Sequence, residues 1–213
     1  AQWTEITDSN VVAAINALSD TNTTYTIAVN GEISNNTLTN INDAIKNKTN
    51  AKFIIDLNNT MGISTFNSTF SGNKKLIEII LPNSVTTISS YAFKECSNLT
   101  KITIPNNVTK IGFNAFSYCN NLTSITIPNK VTYIDNYTFY ECSSLRSIII
   151  PNGVTEIGNH AFDSCNTLDS ITIPTSLTKI GYNAFNSCRL SKGVNYRGSK
   201  DDWGNIEIDK SNN

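Results

Sequence analysis

The chain has 213 residues and 39% apolar content, enough for one domain with a substantial core or at most two small ones. Charged residues make up only 15%, their place taken by 32 Asn, 26 Thr and 22 Ser, and a net charge of −1 leaves no positive excess to neutralise a nucleic-acid backbone. No apolar run reaches the roughly 18 residues of a membrane-spanning helix, and one histidine (His160) and one methionine (Met61) leave little for His-based catalysis or a metal site.

In chain order, Asp8-Ser9-Asn10 offers helix N-caps ahead of Val11, Ala14, Ile15 and Leu18, an i, i+3, i+4, i+7 stripe. Tyr25-Thr26-Ile27-Ala28-Val29 reads as a strand ended by Asn30-Gly31, and Leu38, Ile41 and Ile45 mark a second amphipathic helix that leads into a strand at Phe53-Ile54-Ile55-Asp56-Leu57. Residues 1–58 are therefore expected to form an N-terminal α/β cap.

From there a single period governs the chain, the mark of a repeat architecture. All five prolines (Pro82, Pro105, Pro128, Pro151, Pro174) and all five cysteines (Cys96, Cys119, Cys142, Cys165, Cys188) keep a strict i, i+23 interval. Phe93, Phe116, Phe139, Phe162 and Phe185 keep the same interval, as do Leu99, Leu122, Leu145 and Leu168. The unit reads L-x-x-I-x-I-P-x-x-V-T-x-I-x-x-x-A-F-x-x-C-x-x. Ile102 and Ile104 alternate with a period of two, a strand with one buried face, and Pro105 ends it because proline has no N–H for a ladder. Val108 and Ile111 open a second extended or turn segment; Ala115, Phe116 and Cys119 follow at helical or 3₁₀ spacing. One coil cannot bury its apolar positions alone, whereas stacked coils bury each set against its copies above and below. Phe70, Leu76, Ile79 and Leu81 make an earlier, degenerate coil with Asn73 in the cysteine column. These observations predict a solenoid over residues 59–190, one degenerate coil followed by five regular ones, each a β-strand plus a short 3₁₀ or helical turn. At about 4.8 Å per coil the stack would be about 30 Å long. Residues 191–213, with a strand and turn at Val194-Asn195-Tyr196-Arg197-Gly198 and a Ser199-capped segment carrying Trp203, are expected to form a C-terminal cap; Trp3 and Trp203 suit lids over the two ends.

Ile-Thr-Ile-Pro at 102–105, 125–128 and 171–174, and Ile-Gly-x-x-Ala-Phe starting at Ile111, Ile157 and Ile180, resemble the BspA-like, treponemal class of leucine-rich repeats. That family's pattern has Gly just before Cys, where this chain has Glu95, Tyr118, Glu141, Ser164 and Ser187 and keeps only Gly72; Thr138 also replaces the family Ala. The resemblance implies a leucine-rich repeat fold and a bacterial, secreted or cell-surface, virulence-associated protein that adheres without catalysis to protein or glycan partners on a host, matrix or cell surface. An alternative it leaves open is a substrate-targeting domain of a larger secreted enzyme. No cofactor, nucleic acid or membrane insertion is implied, and a monomer is expected. The chain opens at Ala1 without a leader, as a mature or trimmed form would. Nine N-x-S/T sequons, among them Asn98, Asn107, Asn121 and Asn136, fit a bacterial chain in which Asn is abundant.

One cysteine per coil, on a column beside Phe, points to free buried thiols; neighbouring in-register side chains have the wrong orientation for a relaxed disulfide, and zinc-type C-x₂-C spacing is absent. His160 shares its column with Tyr91, Asn114, Tyr137 and Asn183 and reads as an exposed surface residue; Asp163 is near, but no G-x-S-x-G nucleophile elbow exists. Two surfaces are candidates for binding. The first is the strand face turned away from the core, expected to be concave, with Lys101, Thr103, Thr126, Arg146, Ile149 and Thr172 as its partner-binding residues. The second is an aromatic patch of Phe113, Tyr118, Tyr133, Tyr137 and Tyr140.

Overall fold

The computed structural model describes residues 6–209; Trp3, expected as a lid, lies outside them. Helix α1 (Val11–Ala17) buries Val11 and Ile15, and Asn10 at its N-cap makes no side-chain cap bond, its Oδ1 instead accepting the Thr7 N–H. Strands β1 (Thr24–Ala28) and β2 (Gly31–Glu32) follow, then α2 (Asn35–Lys46), opened by a capping box between Ser34 and Thr37. Strands β3 (Lys52–Asp56), β4 (Thr60–Met61) and β5 (Thr65–Phe66) and a 3₁₀ turn at Ser68–Phe70 complete the irregular part.

Every later coil except the one at residues 122–144 sends one strand to each of two parallel columns, and that coil sends a strand to the second column alone. The first column holds β6 (Leu76–Ile80), β8 (Lys101–Thr103), β11 (Ser147–Ile149), β13 (Ser170–Ile173) and β15 (Gly193–Tyr196). The second holds β7 (Thr87–Ile88), β9 (Lys110–Ile111), β10 (Tyr133–Ile134), β12 (Glu156–Ile157), β14 (Lys179–Ile180) and β16 (Glu207–Ile208). The cap strands extend these columns: β1, β3, β6 and β8 form one sheet in that order, β5 starts the second column against β7, and β2 pairs with β4.

The third side of each coil is where sequence and structure differ. In place of a 3₁₀ or helical turn per coil, the regular coils run as successive β-turns, and the 3₁₀ turn at Ser68–Phe70 is the single one among the described residues. Two residues per coil are left-handed and break any helix: Tyr91 and Glu95 (φ 63° and 60°), Asn114 and Tyr118, Tyr137 and Glu141, His160 and Ser164, Asn183 and Ser187. Alternate N–H groups therefore close local turns (Ala92 to Ser89 O, Lys94 to Tyr91 O), while those between reach the next coil: Tyr91 to Phe113 O at 2.9 Å, Phe93 to Ala115 O at 2.8 Å and Glu95 to Ser117 O at 2.8 Å. Left-handed backbone costs a non-glycine residue about 1–2 kcal/mol, which accounts for a glycine preference before Cys; Gly72 (φ 70°) holds that position in the degenerate coil. Where a side chain stands there, the intercoil bonds, about 0.5–1.5 kcal/mol each, offset the strain.

Inside, Phe66, Phe93, Phe116, Phe139, Phe162 and Phe185 stack in one column with centroids 5.1–5.6 Å apart. The cysteines stand beside them, free, and each thiol donates to a phenylalanine carbonyl of the coil before: Cys96 to Phe70 (3.0 Å), Cys119 to Phe93, Cys142 to Phe116, Cys165 to Phe139 (3.2 Å each) and Cys188 to Phe162 (3.1 Å). Burial pushes the Cys96 and Cys142 thiols up to about 12 and raises that of Cys119, and a hydrogen bond with the Cys188 thiol, together with burial, raises that of Cys165. Cys188, expected to be buried with the others, is only half-buried because no further turn strip covers it.

The ends are closed unequally. Leu38, Ile41 and Ile45 of α2 are buried at the N-terminal end, and Asn73 in the cysteine column ties α2 to the stack by donating to Asn42 Oδ1 (2.8 Å). At the other end Glu207 pairs with Lys179, an interval longer than the repeat. The surplus is taken up by α3 (Lys200–Gly204), whose capping box joins Ser199 and Asp202. Trp203 packs against the core and meets Tyr196 edge-on at 5.2 Å.

One coil departs from this regularity. Residues 124–127, which the repeat places between β8 and β11, pair with neither, and β9 and β10 are also unpaired. The gap between β9 and β10 traces to one column. Gly112, Gly158 and Gly181 donate to Ile88, Ile134 and Ile157 O of the coil before (2.8–2.9 Å), and a Cβ on any of them would come within 2.7 Å of a backbone nitrogen of that coil. Asp135 stands in the same column with a Cβ, so its coil cannot close on Ile111, and the corresponding bond is missing. Ser89, the column's first member, does bond back, to Phe66 O at 2.9 Å, but the coil before it is shorter there (Phe66 pairs with Ile88) and turns at once into the 3₁₀ segment. The turn strips of the two separated coils stay bonded, Phe116 N–H to Thr138 O at 2.9 Å and Tyr118 N–H to Tyr140 O at 2.8 Å.

Two outcomes follow from this packing. With the protein native at pH 8, iodoacetamide should alkylate Cys188 alone, and denaturation should release four further equivalents; reaction of Cys119 or Cys142 in the native protein would contradict the thiol column. Asp135→Gly should let the amide at position 135 reach Ile111 O, slowing its hydrogen exchange tenfold or more and raising stability by up to about 1 kcal/mol, less the entropic cost of glycine. Unchanged exchange would show that the Asp135 Cβ is not what holds the coils apart.

Candidate functional site

The outward strand face is set by the alternation that buries Ile102, Ile125, Ile148 and Ile171. Lys101, Thr103, Thr126, Arg146 and Ile149 are exposed there and Thr172 is half-exposed, so the structure brings the six expected residues onto one face across four coils. Charge on it is locally matched. Lys101 Nζ lies 2.7 Å from Glu78 Oε1, and Asp169 faces Arg189 (3.8 Å) and Lys192 (3.9 Å). Ile149 is 59% exposed, unusual for a β-branched side chain with no polar group of its own.

This face is not uniform. Where residues 124–127 separate from their neighbours it holds a groove of about 240 Å³, lined by Ser124, Thr126, Asn129, Ser147, Ile149 and Pro151. No hydrogen bond joins the backbone of residues 124–127 to either adjacent coil; the nearest link is Arg146 N–H to Thr123 O at 3.3 Å. The groove therefore offers unpaired main-chain donors and acceptors, hydroxyls on both walls and one large apolar side chain. The feature that sequence reading passed over is Asp135, the residue in the glycine column.

Four of the five expected aromatic residues meet on another edge. Phe113 packs edge-on against Tyr137 (5.7 Å), Tyr137 against Tyr140 (5.6 Å), and Tyr140 against Tyr118 (5.3 Å). Burial among these rings pushes the Tyr140 phenol up to about 12. Tyr133 stands apart on β10, its phenol raised by burial and by nearby Asp135 and Glu156. Three members were missed: Tyr91 packs on Phe113 (5.4 Å), and His160 lies between Tyr137 (stacked, 4.7 Å) and Tyr182 (5.2 Å). The signal was present in two adjacent columns of the repeat, one holding Tyr91, Tyr137 and His160 and the other Phe113 and Tyr182. The rings pack on one another in a ridge along the coils, whose ends at Tyr91 and Tyr182 remain exposed.

His160, expected on the exposed surface, is half-buried. Its Nδ1 lies 2.8 Å from Asp163 Oδ2, and the buried Asp163 also accepts from Ser164 Oγ (3.0 Å) and Asn186 Nδ2 (2.9 Å). The Ser164 hydroxyl is thus engaged by the carboxylate and makes no bond to the imidazole, so the cluster lacks the nucleophile-to-base contact that acyl transfer needs. Among the described residues no group of three or more His, Cys, Asp or Glu is placed to hold a metal, and no helix is long and apolar enough to cross a membrane.

Comparison with known proteins agrees with this architecture. A leucine-rich repeat protein of Treponema pallidum is 29% identical, with a TM-score of 0.63 over 67% of this chain and 68% of that one. One from Bacteroides ovatus is 26% identical (TM-score 0.52; 64% of this chain, 49% of that one). A leucine-rich cell surface protein of Faecalibacterium prausnitzii shares the fold at 23% identity (TM-score 0.52; 88% of this chain, 63% of that one). The chain thus spans less than two thirds of the length of the last two. No curated protein sequence matches it. The model of the BspA type leucine-rich repeat region matches six copies over residues 63–191, more than half of the chain, and the protein belongs to that family.

Proposed function

We propose that this protein is a non-enzymatic recognition module, secreted or held at a bacterial cell surface, that adheres to a protein partner through its strand face, centred on the groove between Thr126 and Ile149. The observation that carries the reading is the detached strand segment at residues 124–127, which leaves main-chain hydrogen-bonding groups beside an exposed isoleucine. Unpaired backbone beside a hydrophobic wall suits an extended polypeptide, whose own main chain supplies the missing partners while side chains settle against Ile149 and Pro151. The face is preordered by the coils on both sides, so little conformational entropy is lost on binding, and contacts over successive coils accumulate. Charge-driven steering plays a small part because the net charge is −1 and Lys101 and Asp169 on this face are each paired with an opposite charge. Surface location is supported by the family and by the description of the Faecalibacterium protein as a cell surface protein.

The test uses arrays of extracellular-matrix proteins and of glycans, probed with the wild-type chain and with variants of unaltered circular dichroism. Thr126→Glu and Ile149→Glu should each weaken binding to a protein on the array by about thirtyfold or more, the loss typical of a central contact, while Tyr140→Ala leaves it within about threefold. Loss confined to the tyrosine variant would move the site to the aromatic ridge. Binding to glycans alone would overturn the protein-partner reading.

A further inference from the structure

The stack is finished at its N-terminal end and unfinished at the other. In each regular coil but the last, three turn-strip amides donate to the coil above; in the penultimate coil His160, Phe162 and Ser164 donate to Tyr182, Ala184 and Asn186 O at 2.8, 2.8 and 2.9 Å. The equivalent donors of the last coil are Asn183, Phe185 and Ser187, and none of the three has an acceptor among the described residues. Residues 193–209 continue both strand columns through β15 and β16 but supply nothing to the turn strip. Below the row of free donors lies an apolar cleft of about 300 Å³, lined by Ile173, Ile180, Phe185, Cys188, Leu190 and Trp203. Phe185 and Cys188 are half-buried there, although Phe162 and Cys165, the same columns one coil earlier, are fully buried.

We propose that this end is a docking site for a polypeptide segment carrying the repeat's own turn pattern, Ala-Phe-x-x-Cys, laid over the last coil as each coil is laid over the one before it. Three donors on alternate residues call for three carbonyls at the same interval, and the cleft at the Phe and Cys columns calls for an aromatic and a small side chain. Four intercoil contacts in the same molecule show that combination in use. A symmetric pair of copies, end against end, would set donors against donors. A head-to-tail copy would meet an end already taken: α2 covers it, and Ser71 O, the acceptor in the column of Lys94 and Ser117, is engaged by Lys46 Nζ at 3.1 Å. The site is remote from the groove at Thr126 and does not depend on the function proposed for it.

The probe is a synthetic peptide with the sequence of residues 157–168, Cys165 replaced by serine, added to the full chain at concentrations up to the millimolar range. At saturation it should slow hydrogen exchange at the Asn183, Phe185 and Ser187 amides and alkylation of Cys188, each by at least tenfold, while the protein sediments as a monomer. A peptide in which Phe162 is replaced by Asp should give no protection. The proposal is overturned if the three amides exchange at the same rate with and without millimolar peptide, if the Asp-containing peptide protects equally, or if the same amides become protected without peptide as the protein self-associates.

Discussion

Each regular coil is held to the next by a strip of backbone donors, three N–H groups on alternate residues that reach carbonyls of the coil above, as Tyr91 reaches Phe113 O and Phe93 reaches Ala115 O. This strip makes the other features necessary. Its amides can face the next coil only if residues such as Tyr91 and Glu95 turn left-handed, so the segment cannot be a helix. Because the bonds fix adjacent coils in register, like side chains lie over like: phenylalanine on phenylalanine, and a thiol beneath the carbonyl that accepts it. Stability in such a chain is a sum over neighbouring coils, and each contact is worth having only if both partners keep the interval.

The places of interest for recognition are where this contact is not met. At the N-terminal end the contact is replaced: a helix covers the Phe column, a lysine takes the free carbonyl, and Asn73 exchanges a thiol's single weak bond for an amide link to Asn42. In the coil at residues 122–144 the strip holds and β10 pairs forward with β12, but β10 does not pair with β9, where Asp135 carries a Cβ and Gly112 and Gly158 have none, and residues 124–127 pair with neither neighbour. At the C-terminal end strands continue and the strip stops. A regular solenoid surface has its main-chain groups paired and little to offer a partner; each interruption releases a few of them beside apolar side chains.

Much of this was legible in the sequence because a strict interval carries its own geometry. Five prolines and five cysteines on one period define the coil, Ile102 and Ile104 orient the strand, and Ser199 marks the start of α3. The turn strip was misread because Ala115, Phe116 and Cys119 have helical spacing, and the residues that forbid the helix, Asn114 and Tyr118, occupy positions whose side chains vary from coil to coil. Backbone handedness there is imposed by the neighbouring coil; asparagine adopts it readily, but tyrosine at the equivalent place has no such preference. His160 was misplaced for a related reason: its column is polar or aromatic, which reads as surface, yet rings from two adjacent columns converge and Asp163 lies beneath. The strand-face residues were found by alternation alone, whereas the groove among them lies in the coil that carries Asp135 in the glycine column, which no local pattern signals.

The central claim is that register between coils, set by the constant interval of the repeat, holds the molecule together. It is tested most directly by inserting a second copy of residues 122–144 after Ser144, and in a parallel variant the same copy lacking Thr126. The complete copy should give a monomer that unfolds cooperatively at a melting temperature no lower than that of the parent. The copy short by one strand residue turns its inward isoleucines to the wrong face and should lower the melting temperature by several degrees or abolish cooperative unfolding. Equal melting temperatures for the two insertions would contradict the account.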